Sequence, residues 1–219
     1  SERAFVEALG SCVQEALRPA AEQGALSDDD VWDVFGLLQV LFVYHQNLYH
    51  RLRDALAAWQ SHISTVGDVF LDNSAFLVLH AMYTRGYAGA LLHYRELRTT
   101  RPAFGRVAEA YDTAHRSSGS SGYTLQDVLA LPCEHLAAYQ GLIENIQKYT
   151  PKNHVDVPLL EQCHERVYHL VHRIAFLPET ATIVENRKLL AAADSIRGLE
   201  GQRLIAPGRR VVQEGLVSI

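Results

Sequence analysis

Imidazole is plentiful in this chain, with eleven histidines against three cysteines. Glu161-Gln-Cys-His164 sets a carboxylate and an imidazole three residues apart, a spacing that places both on one helix face. Di-iron bundles need two such motifs and two further glutamates, and the chain carries a single Glu-x-x-His. Cys163, His164, His169 and His172 fall on the same stretch. Positions 164 and 169, however, lie about 140° apart around a helix, so these side chains read as solvated. No metal and no cofactor are expected. Cys12, Cys133 and Cys163 are odd in number and widely spaced, which gives neither a disulfide framework nor a CxxC zinc pair. The chain has no G-x-S-x-G, no Walker-A loop and no G-x-G-x-x-G, so the usual hydrolytic and nucleotide-cradling motifs are missing. Arg95, Arg98 and Arg101, beside Tyr94, form a small basic stretch. It reads as a solvated face, with phosphoinositide or partner contact as the alternative.

These groups sit in an ordinary globular composition. The chain has 219 residues, 48% of them hydrophobic and 21% charged, which excludes a fibrous or disordered class. The formal net charge is −5 and the pI is about 6.1. Nucleic acid is not an expected partner, because phosphate contacts need a clustered basic surface. The longest apolar run, Val34 to Tyr44, is far short of the roughly 20 residues of a membrane span. No secretory leader is recognisable, and the cysteine pattern fits a reducing, cytoplasmic setting.

The positioning elements read as long helices. Phe5, Leu9, Val13 and Leu17 recur in four-residue steps, an apolar stripe along a first helix from residue 2 to about 24. Gly24 is its stop, and Pro19 is placed to kink its last turns. Ser27 stands three residues before Asp30, a capping-box start for a second helix reaching about Trp59. Val31, Phe35, Leu38, Phe42, Leu48, Leu52 and Leu56 mark its buried faces. The aromatic residues Trp32, Phe35, Phe42, Tyr44 and Tyr49 are expected in the core. A short segment over Thr65–Leu71 precedes a fourth helix from about Ala75 to His115, which Pro102 kinks or splits. Arg116–Gly122 is a Ser/Gly loop. Thr124 and Asp127 open a fifth helix that Pro151 ends. A sixth spans about Val157–Gly198, bent at Pro178. The tail Val211–Ile219 alternates with β-branched residues after Pro207-Gly208 and predicts one β-strand. A lone strand is not stable alone, so it reads as the start of a second, β-rich domain. The expected fold is all-α, an elongated six-helix bundle with that strand at its end.

Three blocks then carry a resemblance. Ser1-Glu-Arg-Ala-Phe-Val-Glu-Ala-Leu9 resembles the first signature block of Dbl-homology domains, the helical exchange-factor domains for Rho-family GTPases. Asp30-Val-Trp-Asp-Val-Phe35 running to Phe42-Val-Tyr-His-Gln-Asn-Leu48 resembles the second. Leu129-Ala-Leu-Pro-Cys-Glu-His-Leu-Ala-Ala-Tyr139, through Leu142-Ile143 and Lys148-Tyr-Thr-Pro151, resembles the third. The likeness covers about residues 1–200. It implies that residues 201–219 are a linker and the first strand of a pleckstrin-homology domain, where Arg209 to Gly215 matches an Arg-x-x-x-x-Glu-Gly pattern. Trp59, Thr65–Phe70, Tyr83 and Tyr87 look like the faciogenital-dysplasia-type members.

The resemblance implies a guanine nucleotide exchange factor with no covalent chemistry of its own. Such a domain binds the two switch segments of the GTPase, which GDP and magnesium otherwise hold. By linkage it loosens the nucleotide by the factor with which it prefers the emptied GTPase. Glu2 matches the switch I anchor, a charged acceptor for amide and hydroxyl donors. From residues alone it is equally an acid favoured by the dipole of a helix's first turn. The GTPase-facing set implied is Glu2, Phe5, Gln126, Glu134, His135, Ala138, Tyr139, Val171 and His172. The family lysine that touches switch II is here Ala138, and the family's Gln-Arg pair is Glu134-His135. Residues 171–175 include neither the expected Asn nor Asp. The alternative is an inactive scaffold that holds a GTPase or cytoskeletal partner without exchange. Phosphoinositide contact would come through the pleckstrin-homology domain, and would bring the protein to membrane or cytoskeleton.

Overall fold

The computed structural model describes residues 2–73, 77–117 and 122–175. Among them every regular element is helical. Two long rods open the chain. α1 (Glu2–Ser11) passes through a π-helical turn at Cys12–Leu17 into α2 (Arg18–Glu22). α3 (Asp28–Val31) passes through a second π turn at Trp32–Gly36 into α4 (Leu37–Ala57). The predicted caps hold. Gly24 adopts φ +63°, and the bonds from Ala25 N to Ala20 O (2.8 Å) and Gly24 N to Ala21 O (2.9 Å) close the first rod, a helix end that needs the left-handed conformation. Ser27 and Asp30 form a reciprocal capping box, as do Thr124 and Asp127. A Cβ on Gly10 would lie 3.2 Å from the Phe42 ring, so the bare glycine lets α1 approach α4.

α5 (Gly67–Asp72) is the short segment foreseen near residue 65. The long fourth helix divides at Arg101 into α6 (Leu77–Thr100) and α7 (Pro102–Ser117). Pro102 has no N–H to continue the ladder, and it starts the new helix where that loss costs nothing. α8 (Leu125–Tyr149) keeps Pro132 inside it, and α9 is Val157–Ala175. The predicted extension of that helix to Gly198, the bend at Pro178 and the strand at Val211–Ile219 lie outside the described residues.

Two apolar clusters make the core. One gathers Leu9, Phe35, Leu38, Leu41, Tyr83, Tyr94, Phe104 and Leu129. The other gathers Leu48, Phe70, Leu77, Leu136, Tyr139, Ile143 and Leu160. Several sequence expectations need correction here. Trp32 is 70% exposed and Tyr44 45% exposed, because they fall on the outer side of the rod whose inner stripe is Phe35, Leu38, Leu41 and Leu48. Leu56 is likewise exposed. Arg95 and Arg98 are half-buried rather than a solvated face, while Arg101 is exposed. Arg95 donates to Gln126 (2.9 Å), Arg98 to Asp112 (2.8 Å) and Glu109 (2.7 Å), and Arg101 stands 3.5 Å from Asp30. Asp112 also accepts from Leu125 N at 2.8 Å, so this charge joins α6, α7 and the start of α8. No described helix is long and apolar enough to cross a membrane.

α5 is too short to persist on propensity alone. Its anchor is Asp156, 2% exposed, whose carboxylate accepts from Val66 N (3.0 Å) and Gly67 N (2.9 Å). A Cβ on Gly67 would lie 2.6 Å from Leu159 Cβ, so α5 and α9 pack backbone to side chain. Asp156→Ala is expected to cost about 3 kcal/mol, since it leaves two buried N–H groups unpaired. The check is the urea midpoint at unchanged m-value, and Asp156→Asn should recover part of the loss.

Candidate functional site

The seam between the two clusters is polar. α4 brings His45 between Leu41 of one cluster and Leu48 of the other, α6 brings His80 between Tyr83 and Leu77, and α8 brings His135 between Leu129 and Leu136. Glu2, in the first turn of α1, reaches into this seam with 11% of its side chain exposed. Its carboxylate contacts His45 Nδ1 at 2.8 Å and His135 Nε2 at 3.0 Å, and accepts the Tyr139 hydroxyl. His45 Nε2 lies 2.9 Å from His80 Nε2, and His80 Nδ1 lies 2.8 Å from the Pro132 carbonyl. Phe5 stacks on His135 at 3.7 Å between ring centres.

Donor counting assigns the protons. A carbonyl only accepts, so His80 donates Nδ1–H to Pro132 O. Burial, helped by the field of His45, pushes the His80 pKa down to about 3. The ring is neutral and its Nε2 is a bare lone pair. His45 then donates Nε2–H to it. Burial alone would raise the Glu2 pKa, but the donors on His135, His45 and Tyr139 outweigh it and hold Glu2 at about 2. His45, with none of its side chain exposed, thus joins Glu2 through Nδ1 to His80 through Nε2 inside the bundle. Burial pushes the His135 pKa down despite its bond to Glu2. Burial, then the charge of Glu2, pushes the Tyr139 phenol well up, so it stays a donor.

From this cluster an open groove of about 430 Å³ runs along α8, lined by Glu2, His135, Ala138, Tyr139, Gly141, Leu142 and Asn145. Of the implied GTPase-facing residues, Glu2, His135, Ala138 and Tyr139 meet at this groove, with Phe5 behind His135. Gln126 does not join them. It sits nine residues before His135, about 14 Å along the helix, and holds Arg95. Glu134 is exposed beside His135, about 100° around α8. On α9, Val171 packs against the second cluster, and His172 is exposed against Tyr168. Cys163, read as solvated, is instead buried on Gly67 O, while His164 faces Glu144 and His169 is exposed.

Sequence reasoning missed His45, His80 and Asn145. His45 continues the Leu38, Leu41, Leu48 stripe and His80 the Leu77, Tyr83, Tyr87 stripe, so helical spacing could have flagged both as buried imidazoles. Asn145 follows Ala138 by two turns on the same face of α8.

A model of the RhoGEF domain matches residues 1–175. The chain belongs to the RhoGEF domain family. Over its full length this RhoGEF domain is 28% identical to the Myosin-M heavy chain of Dictyostelium discoideum, of which the match spans 12%. It is 23% identical to Rac guanine nucleotide exchange factor B of the same organism, over 100% of the chain and 20% of that protein. It is 24% identical to Rho guanine nucleotide exchange factor 17 of Homo sapiens, over 99% of the chain and 11% of that protein. The chain spans about a tenth to a fifth of the length of these relatives. Among solved structures, the DH domain of FARP2 is similar with a TM-score of 0.74 at 14% identity, covering 89% of this chain and 92% of that one. The Vav1 exchange factor is similar with a TM-score of 0.67 at 21% identity, covering 91% of this chain and 52% of that one. These are likenesses of fold.

The proton assignment predicts a pH profile. His80 refuses a proton that the unfolded chain accepts below its ordinary value of 6.5. Glu2 refuses one that the unfolded chain accepts below its ordinary value of 4.5. In both cases the unfolded state binds more protons, so stability falls on acidification. The His80 contribution is lost between pH 6.5 and about 3, and the Glu2 contribution between pH 4.5 and about 2. Urea midpoints measured from pH 7 to pH 3 should fall throughout, and Glu2→Gln should flatten the curve below pH 4.5.

Proposed function

We propose that this RhoGEF domain is the exchange module of a longer protein. It binds switch I and switch II of a Rho-family GTPase and releases GDP. The observation that carries the reading is the family match over residues 1–175. Two relatives are named as exchange factors for Rac and Rho, and the anchor residue Glu2 opens onto the groove along α8. Switch I would enter that groove and donate to a carboxylate that His45, His135 and Tyr139 already hold ionised. Pre-orientation of this kind lowers the ordering cost of binding. Ala138 and Asn145 would face switch II, with Phe5 and Tyr139 backing the contact.

One observation favours a second reading. Ala138 is exposed in the groove, and no groove-lining residue is a lysine or arginine. A lysine there would add a charge-assisted hydrogen bond of roughly 1.5–3 kcal/mol. Without it the domain would be a GTPase-binding scaffold of low exchange activity. The proposal also keeps the division at about residue 200, the pleckstrin-homology strand over Arg209–Gly215, the likeness to faciogenital-dysplasia-type members, phosphoinositide contact through that second domain, and a cytoplasmic place beside membrane or cytoskeleton.

Release of fluorescent GDP from Rho, Rac and Cdc42-type GTPases tests the reading. Acceleration should vanish in Glu2→Ala. Ala138→Lys should raise the rate by about 10- to 150-fold if the new bond acts only in the exchange transition state. GTPase binding without acceleration, in both the parent and Ala138→Lys, would leave the scaffold.

A further inference from the structure

We infer that Glu2, His45 and His135 form a site for a divalent transition metal of the zinc class. One ligand atom from each lies within 4.8 Å of the other two. Two imidazoles and one carboxylate are a zinc donor set, and three protein ligands leave a fourth position for water. The site shares Glu2 with the proposed exchange surface but does not rest on that reading. The expectation of no metal was drawn from spacings within single helices, whereas these ligands come from α1, α4 and α8.

What lies around the triad supports it. A metal-bound histidine almost always donates its other ring N–H to an acceptor that fixes the tautomer. Here His45 donates Nε2–H to His80, and His80 donates Nδ1–H to Pro132 O. That relay aims the His45 Nδ1 position at Glu2. Tyr139 donates to the carboxylate, the usual support for a ligating acid. With metal–ligand bonds of about 2.0–2.2 Å, tetrahedral neighbours sit about 3.3 Å apart. The three ligand atoms already lie within 4.8 Å of one another, so no pair needs to close by more than about 1.5 Å to reach that spacing. On binding, any proton at His45 Nδ1 leaves to solvent, and His135 moves its proton from Nε2 to Nδ1. Two of the three ligands, Glu2 and His135, line the groove along α8. A filled site takes the Glu2 carboxylate away from any incoming donor. If the exchange reading holds, zinc is then an inhibitor of exchange.

The test titrates zinc into the chain against a chromophoric chelator, with no GTPase present. One equivalent should bind. His45→Gln and His135→Gln should each weaken it by at least about 100-fold, and His80→Gln by about 10- to 100-fold. Failure to bind an equivalent, or binding unchanged in both ligand variants, overturns the site and moves any zinc to the exposed imidazoles of α9. Circular dichroism checks that the variants fold. Cobalt added to the unsubstituted chain needs no variant: visible bands of tetrahedral strength support the site, and their absence overturns it. Exchange assayed with zinc and then with chelator is a separate readout. Slowing that the chelator reverses supports inhibition, and unchanged exchange on a zinc-loaded chain overturns inhibition alone.

Discussion

The bond between the Glu2 carboxylate and the buried His45 ring is the constraint around which the seam of the bundle is arranged. A buried charge is tolerated only when it is paired and hydrogen-bonded. Each member of this group creates a need that the next one meets. Glu2 needs donors and receives them from His45, His135 and Tyr139. His45 turns its other ring nitrogen to His80. His80 needs a carbonyl and finds Pro132 O. The chain of bonds crosses from α1 through α4 and α6 to α8, so four helices share one protonation state.

Pro132 has a particular place in that arrangement. A proline inside a helix removes an N–H and disturbs the local carbonyls. In the same turns of α8, Leu129 O accepts the Tyr83 hydroxyl at 2.7 Å and Pro132 O accepts His80. α6 thus supplies two side-chain donors to the backbone of α8. The apolar clusters on either side exclude water and make each of these bonds stronger than it would be at the surface. The residues that position Glu2 are consequently core residues, and they hold the carboxylate at the head of the groove before any partner arrives.

A second charged group ties α6 to its neighbours. Arg95 and Arg98 hold Gln126, Asp112 and Glu109, and the exposed Arg101 stands beside Asp30, which fixes the turn from α6 to α7 and the entry to α8. The groove itself presents one buried-edge carboxylate, imidazole, phenol and amide groups, and no cation. Its polarity is set by hydrogen bonding and by the ionised Glu2. An incoming ligand would be recognised there by donors it brings, as amides and hydroxyls do, or as a metal ion does.

Local patterns in the sequence determined the helices and their ends. Ser27 with Asp30 and Thr124 with Asp127 are capping boxes because the partners are three residues apart, and Gly24 ends a helix because glycine alone takes φ +63° at no cost. The block order also carried the family and brought Glu2, His135, Ala138 and Tyr139 forward as one surface. Which side of each rod is inside was less legible. Trp32 and Tyr44 are apolar in type yet sit outside, since burial follows angular position on the helix. Only the tertiary structure decided what Glu2 touches. His45 is 43 residues away, Tyr139 is 137, and His135 is 133, and no spacing rule spans such separations. Three helices must first pack before a carboxylate and two imidazoles can hydrogen-bond, because that chemistry is set by distances of about 3 Å that exist only in the folded chain.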